Sequence, residues 1–340
     1  MAKKDPIDGK LVVLLGGSGF FGSHIAQDLL ERGARLRIAS RDPEPAFKLK
    51  PLANLGQLQL VRCDVTSEVS LERALDGADA AAFLAGAFEG DLESLMERAP
   101  GNAARIAKAN GASSFVFVSA IGVDPESDVD YSRTKARGER RVLEAFPKAT
   151  IIRPSIIFGS DDNFLNMFGQ LIRLFPVLPV FGPDAKLQLV NVDDAAAALV
   201  NALAEPSKHG GKTYDVAGPE VLTMGEINRM IAEAQGRERA FIDLPDFVSR
   251  TFAKATGWLP GAPMTLDQWK LLERGSVADG SNPGIEKLGV TPRPLDLFLE
   301  RWMTPMRRHG RFTDRTEFAE GYRSPQPQID RADAEIARTD

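Results

Sequence analysis

The chain holds 340 residues, 43% of them hydrophobic and 26% charged, with a formal net charge of −5. That is the composition of an ordinary globular protein, long enough to bury a core in one large domain or two. The modest negative charge, without a long basic run, excludes nucleic acid as the main partner, and a single cysteine, Cys63, excludes an intrachain disulfide.

No apolar segment reaches the roughly 20 residues that a transmembrane helix needs, so none is predicted. The opening "MAKKDPIDGK" has no apolar stretch before Leu11 and does not read as a signal peptide, which points to a cytoplasmic protein. His24, His209 and His309 lie far apart without metal-ligand spacing. They read as surface or cap histidines, and no metal is expected.

In chain order, Leu11–Leu15 is an apolar run bounded by glycine, as suits a parallel strand covered on both faces. Ser23–Glu31 then places Ile25 and Leu29 on one helical face, and Gly33 stops that helix. Further strands are predicted at Arg35–Ser40, Gln57–Cys63, Ala80–Ala85, Ser114–Ser119 and Thr150–Arg153, with helices at Ser70–Leu75, Met96–Asn110 and Tyr131–Phe146 between them. From about Phe158 the rhythm loosens. Pro176, Pro179 and Pro183 interrupt "LIRLFPVLPVFGP", which reads as a loop-rich region. "LVNVDDAAAALVNALAE" reads as a strand and a helix capped by Asp193 or Asp194. "TYDVAGPEVLTMGEI" repeats that pattern, with Thr223 and Glu226 spaced for a capping box. "DFVSRTFAKA" puts Phe247, Val248, Thr251, Phe252 and Ala255 on one helical side, for packing on a small C-terminal domain. From Gly310 onward, charge and proline predict an extended or disordered tail.

This alternation predicts an α/β fold: a Rossmann-type doubly wound parallel sheet over residues 10–160, completed by parts of 185–215. Smaller C-terminal α/β elements fill 161–305, and an extended tail fills 306–340.

Gly16, Gly19 and Gly22 follow the first strand and open the first helix, the setting in which this spacing reads as a phosphate cradle. One glycine permits the tight turn, one the approach to a pyrophosphate, and one close helix packing. Ser18, Phe20 and Phe21 complete the turn, and the helix N-terminus supplies free N–H groups. The second strand ends in Ser40 and Arg41, where a site for NAD carries an acidic residue. An arginine pairs with a 2′-phosphate, so NADPH is favoured over NADH, although Asp42 lies within reach of the ribose. Asp64 and Val65, ending the third strand, suit the adenine. Ala85, Gly86 and Ala87, ending the fourth, are small enough for the cofactor to lie along the backbone.

"YSRTK" sets Tyr131 and Lys135 one helical turn apart, and with the glycine turn it resembles the extended and atypical short-chain dehydrogenases. The resemblance implies a lysine that lowers the tyrosine's pKa and holds the nicotinamide ribose. It also implies a tyrosine that moves a proton at the substrate oxygen and a serine, here Ser119, that orients the carbonyl. The segments "FVFVSAIGVDPESDVDYSRTKARGERRV", "TIIRPSIIFGSDDNFLNMF", "VLPVFG", "VNVDDAAAAL" and "TYDVAGPEVLTMGEI" follow in order. Over about Lys10 to Arg301 they are similar to the atypical dehydrogenase family of the respiratory complex I alpha-subcomplex subunit nine and its bacterial relatives.

That resemblance implies a tightly held, structural NADPH and a part in the assembly or stability of NADH:quinone oxidoreductase. Its implied partners are complex I subunits of the peripheral arm near the membrane, with the chain peripheral on the cytoplasmic side of the inner membrane. Arg153, Pro154, Ser155 and Ile156 match the segment that passes the nicotinamide. Two features depart from the pattern. Ser119 is followed by Ala120 instead of a second hydroxyl residue, and "FEGDLESLMERAPGNAARIAKANG" lacks the usual longer, regular approach to its helix. The alternative reading is an active NADPH-dependent reductase or epimerase-like enzyme on a small or lipophilic carbonyl substrate, with "LIRLFPVLPVFG" walling an apolar pocket.

Overall fold

The computed structural model of the chain describes residues 4–245, 247, 251 and 265–307. The first half runs β1 (Leu11–Leu15), α1 (Phe20–Glu31), β2 (Arg35–Ser40), β3 (Leu58–Arg62), α2 (Glu68–Leu75), β4 (Ala80–Phe83), α3 (Ala99–Ala109), β5 (Ser114–Val118), α4 (Asp130–Ala145) and β6 (Thr150–Pro154). The second half continues with β7 (Ile157–Phe158), α5 (Phe164–Leu174), β8 (Val177–Phe181), β9 (Lys186–Leu187), β10 (Val190–Asn191), α6 (Val192–Ala204), α7 (Pro206–His209), β11 (Thr213–Val216), β12 (Leu222–Thr223), α8 (Met224–Ala234) and β13 (Ala240–Leu244). Two further helices, Leu266–Arg274 and Asp296–Met303, follow.

Seven strands form one parallel sheet in the order β11-β6-β5-β4-β1-β2-β3. The chain thus folds as a Rossmann-like, doubly wound α/β sheet. Its order reverses at β1, so β2 and β4 flank β1 and the crevice above their carboxyl ends is where such sheets take ligands. Strand pleating divides the apolar run of β1 between two cores. Val12 and Leu14 pack with Ile25 and Leu29 of α1 and with Leu199 of α6, while Val13 and Leu15 pack with Leu71, Ala103 and Val142 of α2, α3 and α4. The last turn of α1 closes as sequence predicts: Gly33 N–H donates to Leu30 O at 3.1 Å and Ala34 N–H to Leu29 O at 3.0 Å, a Schellman pair.

The prolines between Leu171 and Pro183 do not make a loop-rich region. That stretch holds the end of α5 and the strand β8, which pairs in parallel with β13. Pro179 is tolerated because β8 has a partner on one side only. The predicted cap of α6 is also corrected. Asn191, not Asp193 or Asp194, holds the N-cap, its side-chain oxygen accepting from the N–H groups of both aspartates. Thr223 and Glu226 do form the capping box of α8. A third core, with Phe158, Leu165, Ile172, Ile231, Trp269 and Leu299, draws these later elements together. The predicted 246–255 helix falls outside the described residues except at 247 and 251, and the tail from 308 falls wholly outside them. No helix among the described residues is long and apolar enough to cross a membrane.

α4 carries Tyr131 and Lys135 and is seated by a close approach at Gly138, where a Cβ would come within 2.1 Å of the Met96 carbonyl oxygen. Relieving such a clash by backbone shifts costs about 1–3 kcal/mol. Denaturant unfolding of Gly138→Ala is expected to show a loss of that size. A Gly138→Ala chain as stable as the parent contradicts this packing.

Candidate functional site

The turn between β1 and α1 is built on contact distances. At Gly16, φ is +84° and a Cβ would lie 2.9 Å from the Ala85 nitrogen; at Gly22 a Cβ would lie 2.5 Å from the Gly17 oxygen. Helix α1 is thereby pressed onto the end of β1. Gly19 differs: a Cβ there would meet no atom within 4 Å, and as the N-cap of α1 it carries no side-chain cap. Uncapped N–H groups therefore face open space, as an anion site requires.

That space is a cleft of about 530 Å³. Of the residues singled out in the sequence, Gly16, Ser18, Gly19, Phe20, Phe21 and Gly22 line it from the turn. Ser40 and Arg41 line it from the end of β2, Val65 from beyond β3, and Ala85 and Gly86 from beyond β4. Asp42, Pro45, Cys63, Leu84 and Leu95 line it too. Of these, Pro45, Cys63, Leu84 and Leu95 went unread because no motif marks them; they are the apolar neighbours of residues that one does. Asp64, Ala87, Ser119, Tyr131, Lys135, Pro154, Ser155 and Ile156 do not line the cleft. The Asp64 carboxylate accepts from the N–H and hydroxyl of Thr66, which hold its pKa below the ordinary value.

Among the described residues, Arg41 makes no hydrogen bond or ion pair, while the Asp42 carboxylate accepts the Glu44 N–H at 3.1 Å. A guanidinium without a hydrogen bond, its charge felt by Asp64, therefore stands at the end of β2, and the neighbouring Asp42 carboxylate is partly engaged in its own turn.

Lys135 is buried, and its Nζ donates to the Val118 carbonyl at 2.7 Å. It stands directly behind the cleft, since a Cβ on Gly86 would come 3.4 Å from that nitrogen. Burial pulls the Lys135 pKa down to about 8, against the opposing charge of Glu139. Tyr131 is half-buried and stacked on Phe88, and burial pushes its phenol up to about 12. This is opposite to the lowered tyrosine that the family pattern implies. No lysine charge offsets the loss of solvent at the phenol. Ser119 is buried and its Oγ has no partner, whereas Ala120 is half-exposed. A buried hydroxyl left without a partner costs about 1–3 kcal/mol. The irregular approach noted in the sequence is a π-helical turn, Glu93–Arg98, leading into α3.

The segment after β6 is engaged internally. Arg153 grips Glu139 of α4 through two bonds of 2.8 and 2.6 Å. The Ser155 hydroxyl bonds Ser276 O at 3.0 Å and Ser276 Oγ at 2.9 Å, and Ile156 packs on the third core. Pro154 O accepts the Ile121 N–H at 3.1 Å, which sets this strand end beside the loop after Ser119.

The histidines are more engaged than surface residues. His209 is buried, with Nδ1 2.9 Å from the Tyr214 hydroxyl. His24, on the cofactor-facing helix α1, reaches Asp193 of α6 at 2.6 Å and Asp161 at 3.3 Å; His309 lies outside the described residues. Among the described residues, no group of three or more His, Cys, Asp and Glu side chains could hold a metal ion.

Three comparisons bear on this site. A family model described as NAD(P)H-binding matches residues 16–163, the span that contains the glycine turn, Arg41, Ser119, Tyr131 and Lys135. The mouse (Mus musculus) mitochondrial NADH dehydrogenase [ubiquinone] 1 alpha subcomplex subunit 9 is 30% identical, over 90% of this chain and 82% of its own length. A ceramide reductase of Caulobacter vibrioides is 31% identical, over 69% of this chain and 74% of its own length. Among solved structures, the Escherichia coli NADPH-dependent quinone oxidoreductase in complex with NADPH superposes with a TM-score of 0.69 at 20% identity, over 85% of this chain and 99% of that one. That similarity concerns the fold. The glycine cradle and the family match agree on a nicotinamide dinucleotide.

The hydrogen bond to Asp193 raises the His24 pKa above its ordinary value, against burial and with help from Asp161. A raised folded pKa means that the clasp adds stability below about pH 6.5, the unfolded value, and loses it as pH climbs through the folded value. The stability difference between the parent chain and His24→Asn is therefore expected to be largest at pH 6 and to shrink by pH 9, measured by denaturant unfolding. A difference independent of pH contradicts the charged clasp.

Proposed function

Since the chain belongs to the family of NADH dehydrogenase (ubiquinone) 1 alpha subcomplex subunit 9, we propose that it is an NADPH-binding accessory or assembly and stability factor of respiratory complex I. The dinucleotide then serves chiefly as a structural part. The similarity that supports this reading runs over 90% of the chain, well past the NAD(P)H-binding span. The observation that carries the structural role is the state of the tyrosine–lysine pair: a phenol raised to about 12 under Phe88, and an ammonium donating to a backbone carbonyl. A phenol raised that far is poorly set for proton transfer near neutral pH.

In this reading the uncapped turn of α1 holds the pyrophosphate, and Arg41 holds the 2′-phosphate that distinguishes NADPH from NADH. Tyr131, Lys135 and Ser119 lie toward the nicotinamide end. When bound, the dinucleotide supplies hydride chemistry. The partners are complex I subunits of the peripheral arm near the membrane, with this chain attached peripherally.

A second reading is a reductase acting on a small or lipophilic carbonyl compound. Two observations favour it: the buried Ser119 hydroxyl without a partner, and the 31% identity to a ceramide reductase. The two readings separate in one experiment. Tagged chain is drawn from its host in mild detergent, and its proteins and released nucleotides are identified by mass spectrometry. Complex I subunits with retained NADPH are expected, unchanged in Tyr131→Phe. Recovery of the chain alone, with freely exchanging nucleotide, contradicts the first reading.

A further inference from the structure

We propose that Phe88 is a hinged lid on Tyr131, and that the place it covers is a binding site for a planar, conjugated ring. The inference rests on the placement of Tyr131 toward the nicotinamide end of the cleft in the function proposed above. The two rings lie 4.6 Å apart between centroids and 22° from parallel, a stacked pair. Phe88 belongs to none of the three cores and is 51% exposed. One face thus covers the phenol while solvent wets much of the rest.

The backbone that carries this ring is lightly held. Among the described residues, no hydrogen bond joins residues 86–90 to any other element. The stretch is bracketed by Gly86, with no side chain to anchor it, and by Gly90, whose φ of +93° leaves its Cβ position in open space. By contrast, Tyr131 stands on the first turn of α4, which the Gly138 contact and the Arg153–Glu139 pair fix in place. A light loop on a fixed helix makes Phe88 the moving partner.

The chemistry of the occupant follows from what the lid gives up. Swinging Phe88 away exposes the face of the phenol ring and forfeits a stacking contact that biases closure by roughly 2- to 10-fold. A flat conjugated ring restores that contact by lying where Phe88 lay. A puckered aliphatic carbonyl compound does not. The site therefore selects planar conjugated ligands over aliphatic ones of similar polarity.

The test uses the full chain. Ultraviolet titration, with Tyr131→Phe identifying the signal of Tyr131, is expected to place that phenol near 12 in the parent and closer to the ordinary value of about 10 in Phe88→Ala. Phe88→Leu, which keeps bulk without a ring, falls between. Binding of anthraquinone sulfonate, followed by intrinsic fluorescence, is expected to tighten roughly 2- to 10-fold in Phe88→Ala, the stacking competition removed, while cyclohexanone shows no such gain. A phenol unmoved in Phe88→Ala, or equal gains for both probes, overturns the proposal. Neither readout needs turnover. An absence of hydride transfer would sink the reductase reading and leave the lid standing, whereas an unmoved phenol would sink the lid alone.

Discussion

The approach of α1 to the end of β1 governs the rest of this molecule. Three of the four glycines in that turn, Gly16, Gly17 and Gly22, have no room for a Cβ, while Gly19 faces open space. Compressing the turn brings the uncapped helix end down onto the sheet, and the strand order then decides what surrounds it. With β2 on one side and β4 on the other, Arg41 and Gly86 become opposite walls of one cleft. A side chain at Gly22 would lift the helix and separate the anion site from both walls. Substrate-side residues inherit the same frame, because Lys135 is positioned against β5 and behind Gly86.

Around this frame the charged groups serve two ends. Arg153 with Glu139, and Arg293 with Asp194, bind later segments to the helices of the sheet. Glu139 and Asp194 are the buried members, so removing either arginine would strand a buried carboxylate. The Lys135 ammonium donates to a carbonyl and lies over the Phe117 ring, and burial lowers its pKa to about 8 against the charge of Glu139. A ligand hydroxyl that met this cation would stabilise it and so link binding to local stability. Such linkage suits both a structural cofactor and a reactive one. What differs between the two is access to the phenol beneath Phe88.

Much of this was legible in the sequence where the signal is local. The strand limits of β1 and β2, the stop at Gly33, the capping box at Thr223 and most of the cleft residues follow from periodicity, glycine spacing and caps. What was not legible depends on partners distant in sequence. Pro179 marks a loop by propensity, yet β13, some sixty residues later, supplies the single partner that makes it a strand. Asp193 is as good a cap as Asn191 by residue type, but Asp193 is drawn to His24 of α1 instead. Ser155 and Phe88 illustrate the same limit at the site. The Ser155 hydroxyl is claimed by Ser276 and the Tyr131 ring by Phe88, and neither partner is announced by a motif.

On the function proposed above, this cleft takes NADPH and the dinucleotide is part of the folded structure. Thermal unfolding of the nucleotide-free chain with added NADPH or NADH tests it most directly, with Arg41→Ala alongside. At a hundredfold excess over its dissociation constant, a ligand that binds only the folded state adds about 2.7 kcal/mol. A large rise in melting temperature is expected with NADPH, a smaller one with NADH, and near-equal rises in Arg41→Ala. Equal stabilisation of the parent chain by both nucleotides, or by neither, would contradict it.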